Sequence, residues 1–301
     1  MEKLLFSTDT NRKLAKKIIQ KVDFEIGKAE VGKFSDGEIK VFLKESVEGK
    51  KVFVLGSSFP PADNLLELLI LINTLKVNGA EKIVAIIPYF AYAKADHIDP
   101  PGAPLSAKLM VDFIKQSGAE KVISVNMHSR KAESFFGPML TNLDAIPILA
   151  EEFKKIKISD LVIVSPDEGG LERAETFART LKAKNIAYIK KYHPGLEKIS
   201  SQGIEGEVKG KNVVIVDDMI QSGGTIINAI NELERAGAKD IYLAVVHLVR
   251  TGPGMKKLAK EKRIKKIILT NTIPTEIKLP ANFKEIDISE IIIKKLIGDK
   301  A

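Results

Sequence analysis

The chain has 301 residues, of which 45% are hydrophobic, so it can bury a sizeable core, and its length predicts roughly two domains. It contains no Cys, which excludes disulfides and thiol chemistry and makes the cytoplasm the expected location. The net charge of +8 comes from Lys and Arg spread along the chain and suits small anionic substrates at least as well as nucleic acid. No apolar run of membrane length is present, and with 6% aromatic residues and no Trp we predict neither membrane nor nucleic-acid binding.

The first half of the chain alternates between apolar, β-branched runs and helical patterns. Asp36-Gly37 is a strong hairpin-turn pair between strand-like runs at 25–31 and 39–43. Asp63 is a candidate N-cap for an almost wholly apolar helix over 64–77, which we expect to be buried on several sides. The other predicted elements are strands at 4–6, 51–55, 82–87 and 121–125 and helices at 11–19 and 105–116.

Polar residues of interest follow two of these strands. A long loop over residues 89–104 carries Lys94, Asp96 and His97, and loops of this length in compact domains are more often functional than idle. The strand at 121–125 runs into His128. Taken alone, His128 is better explained as an ordinary strand-end histidine and Lys94 as a solvated surface charge, so the loop is only a candidate site.

The strand–helix order starts again after residues 144–150. A strand at 161–164, an acidic turn containing Asp167 and a helix at 171–181 open this second series. Such alternation is typical of α/β domains with mainly parallel sheets flanked by helices. We therefore predict an N-terminal domain at 1–146 and a C-terminal domain at 147–301. The last helix, 288–296, is a candidate to pack back on the first domain.

The most informative stretch lies between residues 211 and 226. Four β-branched residues at 213–216 predict a buried strand, and two carboxylates, Asp217 and Asp218, follow where that strand would end. A small, polar turn then leads into a helix that begins near Ile226; the turn residues are Gln221, Ser222, Gly223, Gly224 and Thr225. Backbone N–H groups at such a turn favour phosphate. The carboxylates can accept sugar hydroxyls or hold a divalent cation, so we predict a sugar-phosphate site. Either acid alone would be an ordinary turn residue.

Residues 213–225 resemble the phosphoribosyl-pyrophosphate binding motif shared by type I phosphoribosyltransferases and ribose-phosphate diphosphokinases. Other segments are similar to the diphosphokinases only. They are the nucleotide-binding turn Phe34-Ser35-Asp36-Gly37-Glu38, the buried helix and ATP loop at 63–69 and 87–93, the start of the second domain at 165–174, and a late motif at 270–274. The resemblance spans nearly the whole chain in the family's order.

The resemblance implies two domains of phosphoribosyltransferase type and a magnesium-dependent transfer of the diphosphoryl group of ATP to the anomeric hydroxyl of ribose 5-phosphate. The products would be phosphoribosyl pyrophosphate and AMP. It implies ATP contacts at Phe34, Asp36, Glu38, Lys94, Asp96 and His97, and magnesium ligands at His128 and Asp167. It implies ribose 5-phosphate contacts at Asp217, Asp218, Gln221, Ser222, Gly223, Gly224 and Thr225, and catalytic residues at Lys191 and His193. It also implies a homo-oligomer, dimeric or a multiple of that, since the family shares its adenine site between subunits.

Several positions depart from the family's pattern. The ATP loop is Lys94-Ala95-Asp96-His97 where the family usually has Arg-Gln-Asp-Arg, Asn126 replaces a usual Asp, and His193 replaces a usual Arg. Lys keeps the charge of Arg but lacks its bidentate fork. The departures cluster around ATP and the transferred group, while the ribose-phosphate loop is intact. Three interpretations therefore stay open: a diphosphokinase, a phosphoribosyltransferase that consumes phosphoribosyl pyrophosphate, and a weakly active or non-catalytic regulatory subunit.

Overall fold

A computed structural model of the chain describes residues 3–190, 203–249, 254–274 and 278–298. The chain divides into two compact units. Among the described residues, the N-terminal unit holds 3–143, 272–274 and 288–298, and the C-terminal unit holds 144–190, 203–249, 254–271 and 278–287. Both units are α/β, as predicted.

The strands and helices are numbered in chain order. The strands are β1 (Lys3–Ser7), β2 (Glu25–Ile26), β3 (Ala29–Lys33), β4 (Ile39–Leu43), β5 (Lys51–Leu55), β6 (Lys82–Ile87), β7 (Lys121–Val125), β8 (Leu140–Leu143), β9 (Leu161–Ser165), β10 (Asn185–Ile189), β11 (Ile204–Glu205), β12 (Asn212–Ile220), β13 (Ile241–Leu248), β14 (Ile264–Thr270) and β15 (Phe283–Ile286). The helices are α1 (Arg12–Ile19), α2 (Asp63–Val77), α3 (Ser106–Ser117), α4 (Arg130–Phe136), α5 (Ile146–Lys154), α6 (Leu171–Leu181), α7 (Gly224–Arg235), α8 (Gly254–Lys260) and α9 (Ser289–Gly298). No helix among the described residues is long and apolar enough to cross a membrane.

The N-terminal unit is built on a six-stranded parallel sheet in the order β2-β1-β5-β6-β7-β8. Its inner strands are buried on both faces, which explains their continuous apolar runs. β3 and β4 form a separate antiparallel hairpin, and β4 contacts α2. The last helix, α9, belongs to this unit and contacts α1.

Two local predictions in this unit are wrong. The run at 25–31 is not one strand, because it divides between β2, which pairs with β1, and β3, which pairs with β4. The backbone changes direction at Gly27, where a Cβ would meet the ring of Phe6. Asp63 is not an N-cap, because α2 begins at Asp63 itself and its carboxylate pairs instead with the ammonium group of Lys33.

The C-terminal unit has a seven-stranded sheet in the order β11-β10-β9-β12-β13-β14-β15, with β11 antiparallel to its neighbour and the other pairs parallel. Every residue of the central strand β12 is buried. The strand does not end at Val216 as predicted, because Asp217, Met219 and Ile220 continue the pairing with β13. The two carboxylates thus lie inside the strand rather than in the turn after it.

Candidate functional site

The turn between β12 and α7 is the predicted phosphate cradle. It comprises Gln221–Thr225, in which Gln221, Ser222 and Thr225 are exposed. Gly223 has a φ of +74°, a left-handed conformation that favours glycine, and its carbonyl accepts a hydrogen bond from Ile227 N at 3.0 Å. The first backbone N–H groups of a helix have no acceptor within the helix and lie at its positive end. The turn can therefore bind an anion through its backbone.

The cradle is supported by Gly254, a residue that the sequence analysis did not single out. A Cβ at Gly254 would overlap the carbonyl oxygen of Gln221, and a Cβ at Gly223 would lie 3.2 Å from Gly254 Cα. Only a glycine lets the start of α8 approach the turn so closely. The signal in the sequence is a glycine shortly after the apolar run that forms β13, in Thr251-Gly252-Pro253-Gly254.

Beside the cradle, Asp217 and Asp218 form an acidic pair that is almost fully buried, with exposed fractions of 8% and 3%. The Arg173 guanidinium, from the first turn of α6, lies between them. Its Nη2 atom is 3.3 Å from Asp217 Oδ1 and 3.4 Å from Asp218 Oδ1. Burial and the neighbouring Asp218 carboxylate raise the pKa of Asp217 well above its usual value, and the positive charge of Arg173 opposes that shift.

Asp167 lies in the turn that follows β9. Its Oδ1 atom accepts a hydrogen bond from Gly170 N at 3.1 Å, and its backbone carbonyl accepts one from Ser165 Oγ at 2.6 Å. A Cβ at Gly170 would overlap the Ser165 hydroxyl, which explains the glycine there. Because β9 and β12 are parallel neighbours, with Val164 opposite Ile215, this turn and the acidic pair lie at the same edge of the sheet.

In the N-terminal unit, the predicted ATP loop is tied to the turn that carries His128. Asp96 is only 6% exposed, and both of its carboxylate oxygens are engaged. Oδ1 is 2.6 Å from His97 Nδ1, and Oδ2 accepts a hydrogen bond from Ser129, whose Oγ also caps α4 through Ala132 N at 3.0 Å. Burial alone would raise the pKa of Asp96, but the hydrogen bonds from Ser129 and His97 lower it. Lys94 and His97 are exposed, and His128 is half-buried.

The predicted adenine turn lies at the tip of the β3–β4 hairpin. Phe34 N donates to Glu38 O at 2.8 Å, and the Asp36 carboxylate accepts from Glu38 N at 3.1 Å. The Phe34 ring is 46% exposed and meets the Phe42 ring edge-on at 6.3 Å. A half-exposed aromatic ring on an ordered turn can stack on a flat ligand.

The remaining predictions concern two catalytic residues and a metal site. Lys191 and His193 lie outside the described residues. Across the parts of the chain that the structure describes, no three His, Asp or Glu side chains are grouped so as to hold a metal ion by themselves.

Both halves of the chain resemble known proteins. A model of the N-terminal domain of ribose phosphate pyrophosphokinase matches residues 3–118, and a phosphoribosyl transferase domain model matches residues 140–281. The ribose-phosphate pyrophosphokinase of Bacillus caldolyticus is 38% identical over 98% of this chain and 92% of its own length. The chain belongs to the ribose-phosphate pyrophosphokinase family. Ribose-phosphate pyrophosphokinase 2 of Enterococcus faecalis gives a similar match, 39% identical over 98% of this chain and 90% of that protein.

A solved structure agrees with this family membership. The crystal structure of phosphoribosylpyrophosphate synthetase from Mycobacterium smegmatis has a TM-score of 0.90 to the chain at 32% identity, and the match covers 99% of both chains. The predicted family, the fold of two phosphoribosyltransferase-type domains and the enzyme class, a transferase, are confirmed. The kinase-type chemistry of the family is consistent with a metal cofactor. The domain boundary at 146/147 and the roles of individual site residues stay predictions.

Replacing Gly254 by Ala tests the close approach behind the cradle. We expect Gly254→Ala to cost about 2 kcal/mol, because backbone must move to admit the methyl group. The thermal unfolding midpoint should fall by several degrees. Gly298→Ala is the matched control, since a Cβ there meets open space at the end of a helix. Equal midpoints for the Gly254 variant and the control would contradict the packing.

Replacing Asp217 by Asn tests the burial of the acidic pair. Because the pKa of Asp217 is raised in the folded state, its ionisation disfavours folding, and wild-type stability should fall as pH rises above the usual carboxyl pKa. We expect Asp217→Asn to be about 1 kcal/mol more stable than the wild type near pH 8 and equal to it near pH 4. Denaturant unfolding at both pH values measures this difference.

A matched variant controls for this substitution. Asp160 is exposed in the same unit, so Asp160→Asn should leave the stability difference between the two pH values unchanged. An Asp217→Asn variant that is less stable than the wild type at pH 8 would show that the Arg173 pairing outweighs the burial.

Proposed function

We propose that this chain is a ribose-phosphate diphosphokinase that transfers the diphosphoryl group of ATP to ribose 5-phosphate. The proposal rests on the match of 98% of this chain to a ribose-phosphate pyrophosphokinase. In this chain, the phosphate cradle and the buried acidic pair lie at one edge of the sheet, as a ribose-phosphate site requires. Family membership over both domains favours this activity over that of a phosphoribosyltransferase, which would account for the C-terminal half only.

In the ribose-phosphate half of the site, the cradle Gln221–Thr225 binds the 5-phosphate and the acidic pair accepts the pentose hydroxyls. Support comes from the N-terminus of α7, which offers backbone donors beside exposed Gln221, Ser222 and Thr225 side chains. Carboxylate oxygens accept hydrogen bonds from hydroxyl groups, and a divalent cation would favour the ionised form of both acids beside the Arg173 guanidinium.

In the nucleotide half, Phe34 stacks on the adenine ring, and Asp36 and Glu38 contact its edge. Lys94 and His97 bind the phosphates. The His97 imidazole accepts a positive charge readily, because its hydrogen bond with Asp96 raises its pKa. Asp96, whose two oxygens are already engaged, acts by holding His97 and the His128 turn rather than by touching the nucleotide.

The metal is magnesium. Mg²⁺ takes oxygen ligands and commonly uses only one or two protein carboxylates together with phosphate oxygens and waters. Asp167 would supply such a carboxylate, and Asp217 and Asp218 in the same unit would add further oxygens. The role of His128 as a secondary contact stays a prediction from the family resemblance. When bound, the cation neutralises negative charge on the phosphate chain.

The reaction needs no covalent enzyme intermediate. The anomeric oxygen of the pentose attacks the β-phosphorus in line, the bond from the β-phosphorus to the α-phosphate oxygen breaks, and AMP leaves. The proton of the anomeric hydroxyl passes to solvent. The protein contributes position and positive charge, and we assign Lys191 and His193 to stabilising the transferred group. We further propose that the enzyme works in the cytoplasm as a homo-oligomer, in which the exposed Phe34 turn serves a neighbouring subunit.

The direct test uses the purified chain alone with magnesium and ATP. We expect AMP to form only when ribose 5-phosphate is also present, because the pentose is the acceptor. Chromatographic quantification of AMP measures this, with ribose 5-phosphate omitted as the control. No product with any nucleoside triphosphate would contradict the proposal and favour the non-catalytic subunit. Release of pyrophosphate from phosphoribosyl pyrophosphate and a base would favour the phosphoribosyltransferase.

A further inference from the structure

One charged side chain at the site has no part in the proposed reaction. Arg173 lies in the first turn of α6, and its side chain is 20% exposed. We propose that Arg173 is a positioning residue that holds Asp217 and Asp218 in the arrangement that receives the pentose hydroxyls. This inference rests on the proposed function and assigns a new residue to that site.

Strand geometry would place the two carboxylates on opposite faces of the sheet. Consecutive residues of a β-strand direct their side chains to opposite faces of the sheet. Asp217 and Asp218 are consecutive residues within β12, yet one carboxylate oxygen of each lies 3.3–3.4 Å from the same Nη2 atom of Arg173. Asp217 Oδ1 also accepts a hydrogen bond from Asp218 N at 2.9 Å, which turns this carboxylate towards Asp218. The guanidinium contacts both carboxylates and bridges them.

Arg173 also changes the charge balance beside the cradle. Two buried carboxylates without a cation would repel each other, and they would also repel an anionic phosphate in the adjoining cradle. One guanidinium offsets one of the two negative charges that the pair carries when both carboxyls are ionised. That balance allows the pair to accept hydroxyl hydrogen bonds beside a phosphate group.

The position of Arg173 carries two local structural costs. A cation in the first turn of a helix faces the positive end of the helix dipole, whereas Arg179, in the last turn of α6, is favourably placed. The Nε atom of Arg173 is buried, and among the described residues it has no hydrogen-bond acceptor. An apolar side chain would avoid both costs. Residues that break local rules in this way are typical of functional sites.

The experiment compares Arg173→Gln with Arg179→Gln, which makes the same chemical change at an exposed position of the same helix. Ribose 5-phosphate binding is measured by calorimetry without ATP, and KM values for both substrates are measured in the AMP assay. We expect Arg173→Gln to weaken ribose 5-phosphate binding roughly tenfold or more, since a hydrogen-bonded charge pair is lost. The KM for ATP should stay within about twofold of the wild type, because a loss of general structure would affect both substrates. Arg179→Gln should change neither value.

Two outcomes would overturn the inference. One is a folded Arg173→Gln variant whose affinity for ribose 5-phosphate equals that of the wild type, and the other is an equal loss for both substrates. If Arg173→Gln does not fold, Arg173→Lys decides. The Lys variant keeps the charge but lacks the fork that reaches both carboxylates, so unchanged affinity in that variant contradicts the positioning role.

The binding and activity measurements separate this inference from the proposed function. Wild-type protein that binds ribose 5-phosphate but releases no AMP would defeat the function, while the comparison of binding affinities would still test Arg173. Wild-type protein that does not bind ribose 5-phosphate would defeat both.

Discussion

The interaction on which the C-terminal unit depends is the contact of one guanidinium with two carboxylates inside its central strand. Burial disfavours the ionised form of Asp217, and Asp218 adds repulsion. The strand tolerates this because Arg173 provides a nearby positive charge. The surrounding features keep the group in place. β9 and β13 flank the strand, Gly170 leaves room beside the Ser165 hydroxyl and Arg173, and Gly254 lets α8 support the cradle. The fold therefore maintains a locally unfavourable charge arrangement where a polar ligand would bind.

The sequence predicts the architecture well where burial dictates pattern. The β-branched runs at 51–55, 82–87, 121–125 and 161–164 match buried parallel strands closely, because such strands are covered on both faces. The turn after β12 was also predictable, because a cluster of small polar residues between two periodic segments indicates a loop. The resemblance then supplied a role for residues such as Phe34 and Asp167, whose identities alone do not distinguish a site from an ordinary turn.

The sequence does not show which residues from distant segments lie close together in the fold. Short strands such as β8 and β15 have too few residues for a clear period, and they form by pairing with the longer strands β7 and β14. The extension of β12 through two aspartates follows from pairing with β13, which overrides the poor strand propensity of Asp. The contacts of Arg173 and Gly254 cross dozens of residues, so neither could be found from local pattern. In the N-terminal unit, the engagement of Asp96 by Ser129 likewise joins distant segments.

The most direct test of the account follows the β-phosphorus of ATP. The purified chain is incubated with magnesium, ribose 5-phosphate and ATP that is isotopically labelled at the β-phosphorus, and the products are separated. We expect the label to appear in a pentose bearing a diphosphoryl group and the AMP to be unlabelled, because the β–γ unit moves as a whole. Label found in ADP, or label that stays in ATP throughout, would contradict diphosphoryl transfer by this protein.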